Sequence, residues 1–462
     1  MNVAEQIVAQ LVDAGVHRIY GIVGDSLNPI VDAVRKTGGS KKGGIDWIHV
    51  RHEEAAAFAA SAEAQLTGKL AVCAGSCGPG NLHLINGLYD ANRTGAPVLA
   101  IASHIPSVQI GSTYFQETHP DRIFEECSVY NELISSAAQS PRTVNSAIRH
   151  AVGLGGVSVI TLPGDVSDLK AVEHVPTYAP ARPATLAPNP ADIDEAAALL
   201  NKADKVAIFA GAGVEGAHDE VIALADALKA PIGHSLRGKH FIQYDNPFDV
   251  GMTGLLGYGA AAEGMNDADV LILLSTDFPY DQFLPDTPTI QVDTHAEKLG
   301  RRTDVGLAIH AQVKPFIEAL LPHLRAGRSD SFLKSKIKKH SEIMHAPVGA
   351  YTRNVEKMRP IHPEYAAHLL NETAAKDAIF TADTGMCNVW TARYIDPLGT
   401  RRIIGSLLHG SMANALPMAL GAQVAYPDRQ VVSVSGDGGL SMLLGELITA
   451  KMYNLPVKVV VF

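Results

Sequence analysis

The amino-acid sequence predicts an α/β protein of three doubly wound, parallel-sheet domains, and three observations carry that expectation. Short apolar runs alternate with helix-like segments along nearly the whole chain, the pattern of parallel sheets joined by crossover helices. Many of these runs are followed by Gly, Asp, Ser or Pro, which turn a chain at the carboxyl edge of a sheet, where ligands of such folds gather. The length of 462 residues exceeds one ordinary core, and two breaks in composition cut the chain into three segments.

Strands are expected at 18–23, 70–74, 98–102 and 157–162, then at 206–210, 270–274 and 289–292, and lastly at 378–382 and 430–435. Between 175 and 191 five prolines (Pro176, Pro180, Pro183, Pro188, Pro190) interrupt a stretch without helical or strand period, which reads as a linker. A softer break runs from Lys334 through His345-Ala346-Pro347 to Pro363. The domains are therefore placed at 1–175, 190–340 and 360–462. The last run, 457–462, reads as a buried strand with no turn after it, so the chain is expected to be cut short there.

A net charge of −10, 47% hydrophobic and 19% charged residues describe an ordinary globular protein and argue against non-specific nucleic-acid binding. The one basic cluster, Lys334, Lys336, Lys338 and Lys339, is bounded by Asp330 and Glu342 and reads as a solvated helix face. No uncharged apolar run reaches the roughly 18 residues of a membrane span, and Glu5 and Asp13 in an amphipathic pattern exclude a secretory signal at the start. Cys73, Cys77, Cys127 and Cys387 are too few for a disulfide framework and lack a second ligand pair for zinc, so buried reduced thiols are expected.

The chemistry begins at Gly436-Asp437-Gly438-Gly439, between the strand 430–435 and a helical run at 441–453. Glycines in a strand–turn–helix let backbone N–H groups approach a phosphate, and the helix start favours negative charge. Asp437 would repel that phosphate unless a cation bridges the two, an arrangement that suits Mg²⁺. Taken alone, the four residues fit equally well a tight turn with Asp437 as helix cap. In the middle segment Gly211-Ala212-Gly213-Val214-Glu215-Gly216 is a G-x-G-x-x-G between a strand and a helix near 219–229. The acid that binds a ribose about twenty residues later is missing, which argues against NAD.

With its neighbours, the Gly-Asp-Gly turn resembles the opening of the thiamine-diphosphate motif, which closes with paired asparagines that would come directly after Phe462. Arg51-His52-Glu53-Glu54-Ala55-Ala56 resembles the pyrimidine-domain signature of the same enzymes, and Gly75-Ser76-Cys77-Gly78-Pro79-Gly80-Asn81 their glycine-rich turn. By that resemblance Glu53 meets N1′ of the aminopyrimidine, because a carboxyl withdrawn from water shares a proton with a ring nitrogen. Glu54 is assigned only to the helix start. The loop Gly111 to Pro120 resembles the one facing the reacting carbon, which puts Phe115 and Gln116 in the substrate pocket. Gly410-Ser411-Met412 resembles the segment that grips the aminopyrimidine, with Met412 wedged between the cofactor rings and the Gly410 carbonyl accepting from the 4′-amino group. Asp437 is then the metal ligand, and Gly438 and Gly439 lie at the diphosphate.

The resemblance covers essentially the whole chain and is nearest to the bacterial pyruvate:quinone oxidoreductases, on Gly24-Asp25-Ser26-Leu27-Asn28, Asn81 to Gly87 and Ser235 to Lys239. It implies FAD in the middle domain, held by Gly211, Gly213, Thr253, Gly254, Leu255, Leu256, Thr276, Asp277, Phe278, Pro279, Tyr280 and Asp293. One departure is Ala311-Gln312 where the family often has Gly-Asp. The implied function is oxidative decarboxylation of pyruvate to acetate and CO₂, with electrons passing through FAD to a membrane quinone. A homodimer is the implied minimum and a homotetramer the analogy. The enzyme would be cytoplasmic and peripheral on the inner face of the membrane, meeting lipid through a C-terminal segment beyond Phe462. Acetolactate synthase, a phosphate-dependent pyruvate oxidase and a catalytically incomplete fragment remain open.

Overall fold

A computed structural model describes residues 1–173, 179 and 184–462, so residues 175–178 and 180–183 of the expected linker at 175–191 lie outside the described residues. Its end is inside them: Pro190 opens the helix Pro190–Lys202, where a fixed φ and a missing N–H suit the first helical turn.

The described chain forms two compact units. Met1–Arg182, Ala378–Cys387 and Ile404–Phe462 make the first, and Pro183–Asp377 with Asn388–Ile403 the second. The first expected domain and most of the third thus share one unit, whereas 360–377 and 388–403 belong to the second.

A six-stranded sheet of the first unit comprises β1 (Arg18–Gly21), β2 (Asp46–His49), β3 (Ala71–Gly75), β4 (Val98–His104), β5 (Tyr130–Leu133) and β6 (Val157–Pro163), in the order β2-β1-β3-β4-β6-β5. The middle sheet comprises β7 (Val206–Ala210), β8 (Ile232–His234), β9 (Asp249–Met252), β10 (Tyr258–Gly259), β11 (Val270–Leu274), β12 (Thr289–Asp293) and β13 (Leu307–His310), in the order β10-β9-β8-β7-β11-β12-β13. A four-stranded sheet joins β14 (Ile379–Ala382), β15 (Arg402–Gly405), β16 (Val431–Ser435) and β17 (Lys458–Val461) in the order β15-β14-β16-β17. All three sheets are of the expected parallel α/β kind. The exception is β10, a two-residue edge piece paired antiparallel to β9.

Each sheet reverses its strand order beside its first strand: between β1 and β3, between β7 and β11, and between β14 and β16. Helices leaving neighbouring strands in opposite directions open a crevice there at the carboxyl edge. Those three crevices place the candidate sites.

The helix Glu53–Thr67 buries almost its whole circumference, Ala55 through Ala64 included. A helix buried all round needs small residues where others cross it. A Cβ on Gly421, in the helix Ala415–Ala425, would lie 2.2 Å from the Ala59 carbonyl oxygen, so glycine permits this crossing.

Three expectations are corrected. The run 457–462 is not a buried strand: β17 lies at the edge of its sheet, paired only with β16, and its residues are exposed or half-exposed. The helical run 441–453 is two helices, Asp437–Met442 and Glu446–Met452, broken at Leu443 and Gly445. The lysine cluster is not wholly solvated: it lies on the helix Ser331–Ile343, but Lys336 is buried. Its Nζ stands 2.7 Å from Glu263 Oε1 and 2.5 Å from Asp267 Oδ2. Two carboxylates offset the desolvation of that one lysine, while Lys334 and Lys338 remain in solvent. All four cysteines are buried, as expected.

Candidate active site

At the β1/β3 crevice three loops converge. The Ser26 hydroxyl lies 3.1 Å from Ser76 Oγ and 2.6 Å from Ser103 Oγ and accepts from the Cys77 N–H at 3.0 Å. Cys77 Sγ donates to Gln116 Oε1 at 3.3 Å, which brings the loop Gly111 to Pro120 to the same edge. That loop is bent sharply, with Thr113 at φ 61° and Gln116 at φ 63°. The Glu117 carboxylate accepts from the backbone N–H of Tyr114 at 3.0 Å and from that of Gly111. So held, the loop presents Phe115 with 78% of its surface exposed.

Glu53 opens the helix Glu53–Thr67 and is 7% exposed. Its Oε2 lies 3.0 Å from His83 Nδ1, and a Cβ on Gly80 would stand 3.0 Å from its Oε1. Glycine therefore leaves one side of the carboxyl open. His83, itself stacked on His52 with centroids 4.4 Å apart, is a partner that sequence reading missed. It lies thirty residues from Glu53, with only a helical position inside the run Asn81 to Gly87 to mark it.

At the β14/β16 crevice Asp437 opens its short helix and is exposed. Met412 is 43% exposed, and its Cε would lie 3.3 Å from a Cβ on Gly438. Gly410 and Ala413 take left-handed backbone, φ 76° and 66°, which turns the chain tightly on either side of Ser411 and Met412. Asp383 follows β14 and is 1% exposed; its Oδ1 accepts from Thr384 N–H at 3.0 Å and Asn414 Nδ2 at 3.2 Å. Its Oδ2 is buried without a partner among the described residues, and a Cβ on Gly439 would stand 1.8 Å from it. Sequence reading missed Asp383, although an aspartate directly after a strand at a carboxyl edge was a usable signal.

Burial pushes the Asp383 carboxyl up to about 6, against the pull of the Thr384, Ala413 and Asn414 backbone N–H groups. An acid raised in the folded state stabilises the fold when protonated, and that contribution is lost as pH climbs through the folded value. Asp383→Asn should therefore gain stability relative to the parent between about pH 4 and pH 7. Urea midpoints across that range check it; parallel curves would contradict it.

The two crevices of this unit are joined by polar bonds. Asn86 donates to Glu54 Oε1 at 2.6 Å and to Ser411 Oγ at 2.8 Å, while its Oδ1 meets His409 Nε2 at 2.9 Å. Glu54 therefore has a partner across the unit as well as its place at the helix start.

A cluster of three or more His, Cys, Asp or Glu able to enclose a metal is absent among the described residues. Asp437 is thus a lone protein carboxylate at an edge open to phosphate and water, which suits Mg²⁺ held partly by a ligand's own oxygens. The glycines of the turn and the half-exposed Met412 fit a diphosphate cofactor with an apolar ring portion.

In the second unit the β7/β11 crevice collects the other candidates. Gly211 donates to the Leu274 carbonyl at 2.9 Å, and Cβ atoms on Gly211 and Gly213 would lie 2.2 Å from Ser275 O and 2.0 Å from Ser275 Oγ. The G-x-G turn thus sits directly against Ser275 and Thr276. Gly254, at φ 96°, would carry a Cβ 2.8 Å from Phe278 Cζ, and Phe278 meets Tyr280 edge-on at 5.6 Å. This gathers Thr253, Gly254, Phe278, Pro279 and Tyr280. Thr253 Oγ1 is buried without a partner among the described residues. Leu255 is 63% exposed and Leu256 half-buried. Asp277 turns to the Arg301 and Arg302 guanidinium groups, which occupy it with two ion pairs. Asp293 ends β12, and its Oδ1 accepts from His295 N–H at 2.9 Å. At the Ala311-Gln312 departure, Gln312 exchanges bonds with Leu186: its N–H donates to the Leu186 carbonyl at 2.9 Å and its Oε1 accepts from Leu186 N–H at 3.2 Å. The residue there is engaged with the chain rather than open to a ligand.

Three family models match the chain in succession: the thiamine pyrophosphate enzyme N-terminal TPP binding domain over 1–123, the central domain over 193–320 and the C-terminal TPP binding domain over 383–462. An uncharacterized 42.6 kDa protein of Pseudomonas amyloderamosa is 54% identical over 335 residues, 72% of this chain and 83% of that protein. A pyruvate oxidase of Lactiplantibacillus plantarum is 32% identical over 97% of this chain and 74% of its own. The acetolactate synthase isozyme 2 large subunit of Escherichia coli is 30% identical over 100% of this chain and 82% of its own.

Proposed function

Because the chain belongs to the thiamine pyrophosphate enzyme family, we propose that it oxidatively decarboxylates pyruvate to acetate and CO₂ and passes the electrons through FAD to a membrane quinone. The observation that carries this reading is the second crevice at β7/β11. A thiamine site alone decarboxylates, whereas a glycine turn packed against Ser275 and Thr276, with Thr253 Oγ1 buried and unpartnered among the described residues just after β9, supports reading a redox dinucleotide site there.

Thiamine diphosphate, when bound, supplies a carbon nucleophile and a sink for the electron pair that CO₂ leaves behind. The protein's part is positional and electrostatic. Glu53 holds a proton for N1′ of the pyrimidine on the side Gly80 leaves open. Met412 would give the rings apolar support, and the Gly410 carbonyl would accept from the aminopyrimidine. Asp437 would hold the Mg²⁺, and Gly438 and Gly439 would let the diphosphate approach the backbone. Phe115 and Gln116, both exposed in the described chain, would border the pyruvate pocket. In the second unit Gly211, Gly213, Thr253, Thr276 and Asp293 hold FAD, an acceptor of two electrons. The working form is a homodimer or homotetramer at the inner membrane surface. Attachment in this reading is peripheral; no described helix is long and apolar enough to cross a membrane.

The test incubates the protein with thiamine diphosphate, Mg²⁺, FAD, pyruvate and a soluble quinone. Equal acetate and CO₂ with quinone reduction, independent of phosphate, is the expected result. Acetolactate would make it a synthase, as in the relative at 30% identity. Acetyl phosphate with hydrogen peroxide would make it a phosphate-using oxidase. No cofactor binding by titration would mark a catalytically incomplete fragment.

A further inference from the structure

The segment that delivers the chain to Glu53 hangs on a helix from the far end of the sequence. Strand β2 is the edge of its sheet, with β1 on one side and no strand on the other. On the open side the Tyr453 hydroxyl accepts from His49 N–H at 2.7 Å and donates to the Trp47 carbonyl at 3.1 Å. Just beyond, Glu446 Oε1 accepts from the backbone N–H of Arg51 at 2.8 Å and of His52 at 3.0 Å. Its Oε2 accepts from the Thr449 hydroxyl at 2.7 Å. Arg51 adds a contact from Nη2 to Met452 Sδ at 3.0 Å.

Glu446 is 0% exposed. Burial raises its carboxyl above the ordinary range, opposed by the bonds from Thr449, Arg51 and His52. Burying a carboxylate is costly unless its oxygens are bonded, and here two of the three donors belong to the residues immediately before Glu53. Glu446 and Tyr453 are seven residues apart on and just after the helix Glu446–Met452, a spacing of two turns that puts both on one face. The grip acts on main chain, so it specifies where residues 47–52 run rather than which side chains they carry.

We propose that Glu446 and Tyr453 are positioning residues for Glu53: the helix following the Gly-Asp-Gly turn sets where the Glu53 helix begins. The inference rests on reading Glu53 as the proton-holding carboxyl of the thiamine site. It makes the two crevices of the first unit mechanically dependent, since the turn carrying Asp437 and the clamp lie within one short stretch of chain.

The test uses the whole chain with thiamine diphosphate and Mg²⁺, and compares Glu446→Gln, Glu446→Ala and Tyr453→Phe with the parent. Amide hydrogen exchange by mass spectrometry reads peptides spanning 47–54 against a control in β4. Glu446→Ala and Tyr453→Phe should speed exchange in 47–54 and leave β4 unchanged, because opening is local. They should lower kcat for pyruvate on the order of tenfold with KM nearly unchanged, as a misplaced catalytic group does. Glu446→Gln, which keeps Oε1 as an acceptor, should restore most of both. Should Glu446→Ala fail to fold, Tyr453→Phe alone decides. Parent-like exchange at 47–54 in Tyr453→Phe overturns the clamp, and faster exchange with parent-like kcat overturns its role in placing Glu53. If Glu53→Gln itself leaves turnover intact, it is the underlying reading that fails, and the exchange result still judges the clamp.

Discussion

Glu53→Gln lowers pyruvate turnover by about 10²–10⁴-fold, the range of a lost general acid–base group, while the protein stays folded. Gln matches Glu in size, and its amide oxygen can still meet His83 Nδ1, which lies 3.0 Å from Glu53 Oε2. Packing around this buried residue is therefore kept. What the amide lacks is a proton it can take up and give back at N1′. Steady-state turnover, paired with a thermal midpoint, separates the two effects. Parent-like turnover in a folded variant would leave the proposed reaction without its acid–base group. A collapsed midpoint would show instead that the carboxylate supports the helix Glu53–Thr67.

Gly421→Ala carries the largest expected loss of stability. In an ordinary helix interior the change stabilises by roughly 0.5–1 kcal/mol, since glycine has more freedom to lose. Here the new methyl would stand 2.2 Å from the Ala59 carbonyl oxygen and 2.8 Å from the Ala59 C and Cα atoms. Those are main-chain atoms of a buried helix and cannot rotate away. Overpacking of this kind costs typically about 1–3 kcal/mol, so the clash outweighs the propensity gain. The urea midpoint should fall, and cofactor affinity with it, because the helix that must shift begins with Glu53. A midpoint equal to the parent's or higher would mean that the two helices do not cross as described.

Much of the candidate site was legible because its chemistry resides in local turns. Gly436 to Gly439, Gly75 to Asn81 and Gly211 to Gly216 each follow a strand, and a turn's backbone geometry is dictated by residues adjacent in sequence. Phe115 and Gln116 came instead from the resemblance of their loop, and the structure places that loop at the β1/β3 crevice with Phe115 exposed. Lys336 was misjudged because charge periodicity along a helix does not report what packs against it; Glu263 and Asp267 decided its burial. The strand at 457–462 was misjudged in the same way, since an apolar run looks identical at the edge and at the centre of a sheet.

By itself the sequence determined the α/β class, ten of the seventeen described strands and the glycine turns that follow several of them, because hydrophobic period and glycine spacing act over a few residues. The tertiary structure alone decided which turns face each other. It set Asp383 behind Gly439, His83 beside Glu53, Asn86 between Glu54 and Ser411, and Glu446 under Arg51 and His52. Those partners are separated by thirty to nearly four hundred residues. A hydrogen bond depends on ångström-scale placement in space, which strand order and helix crossings fix only once the whole chain has folded.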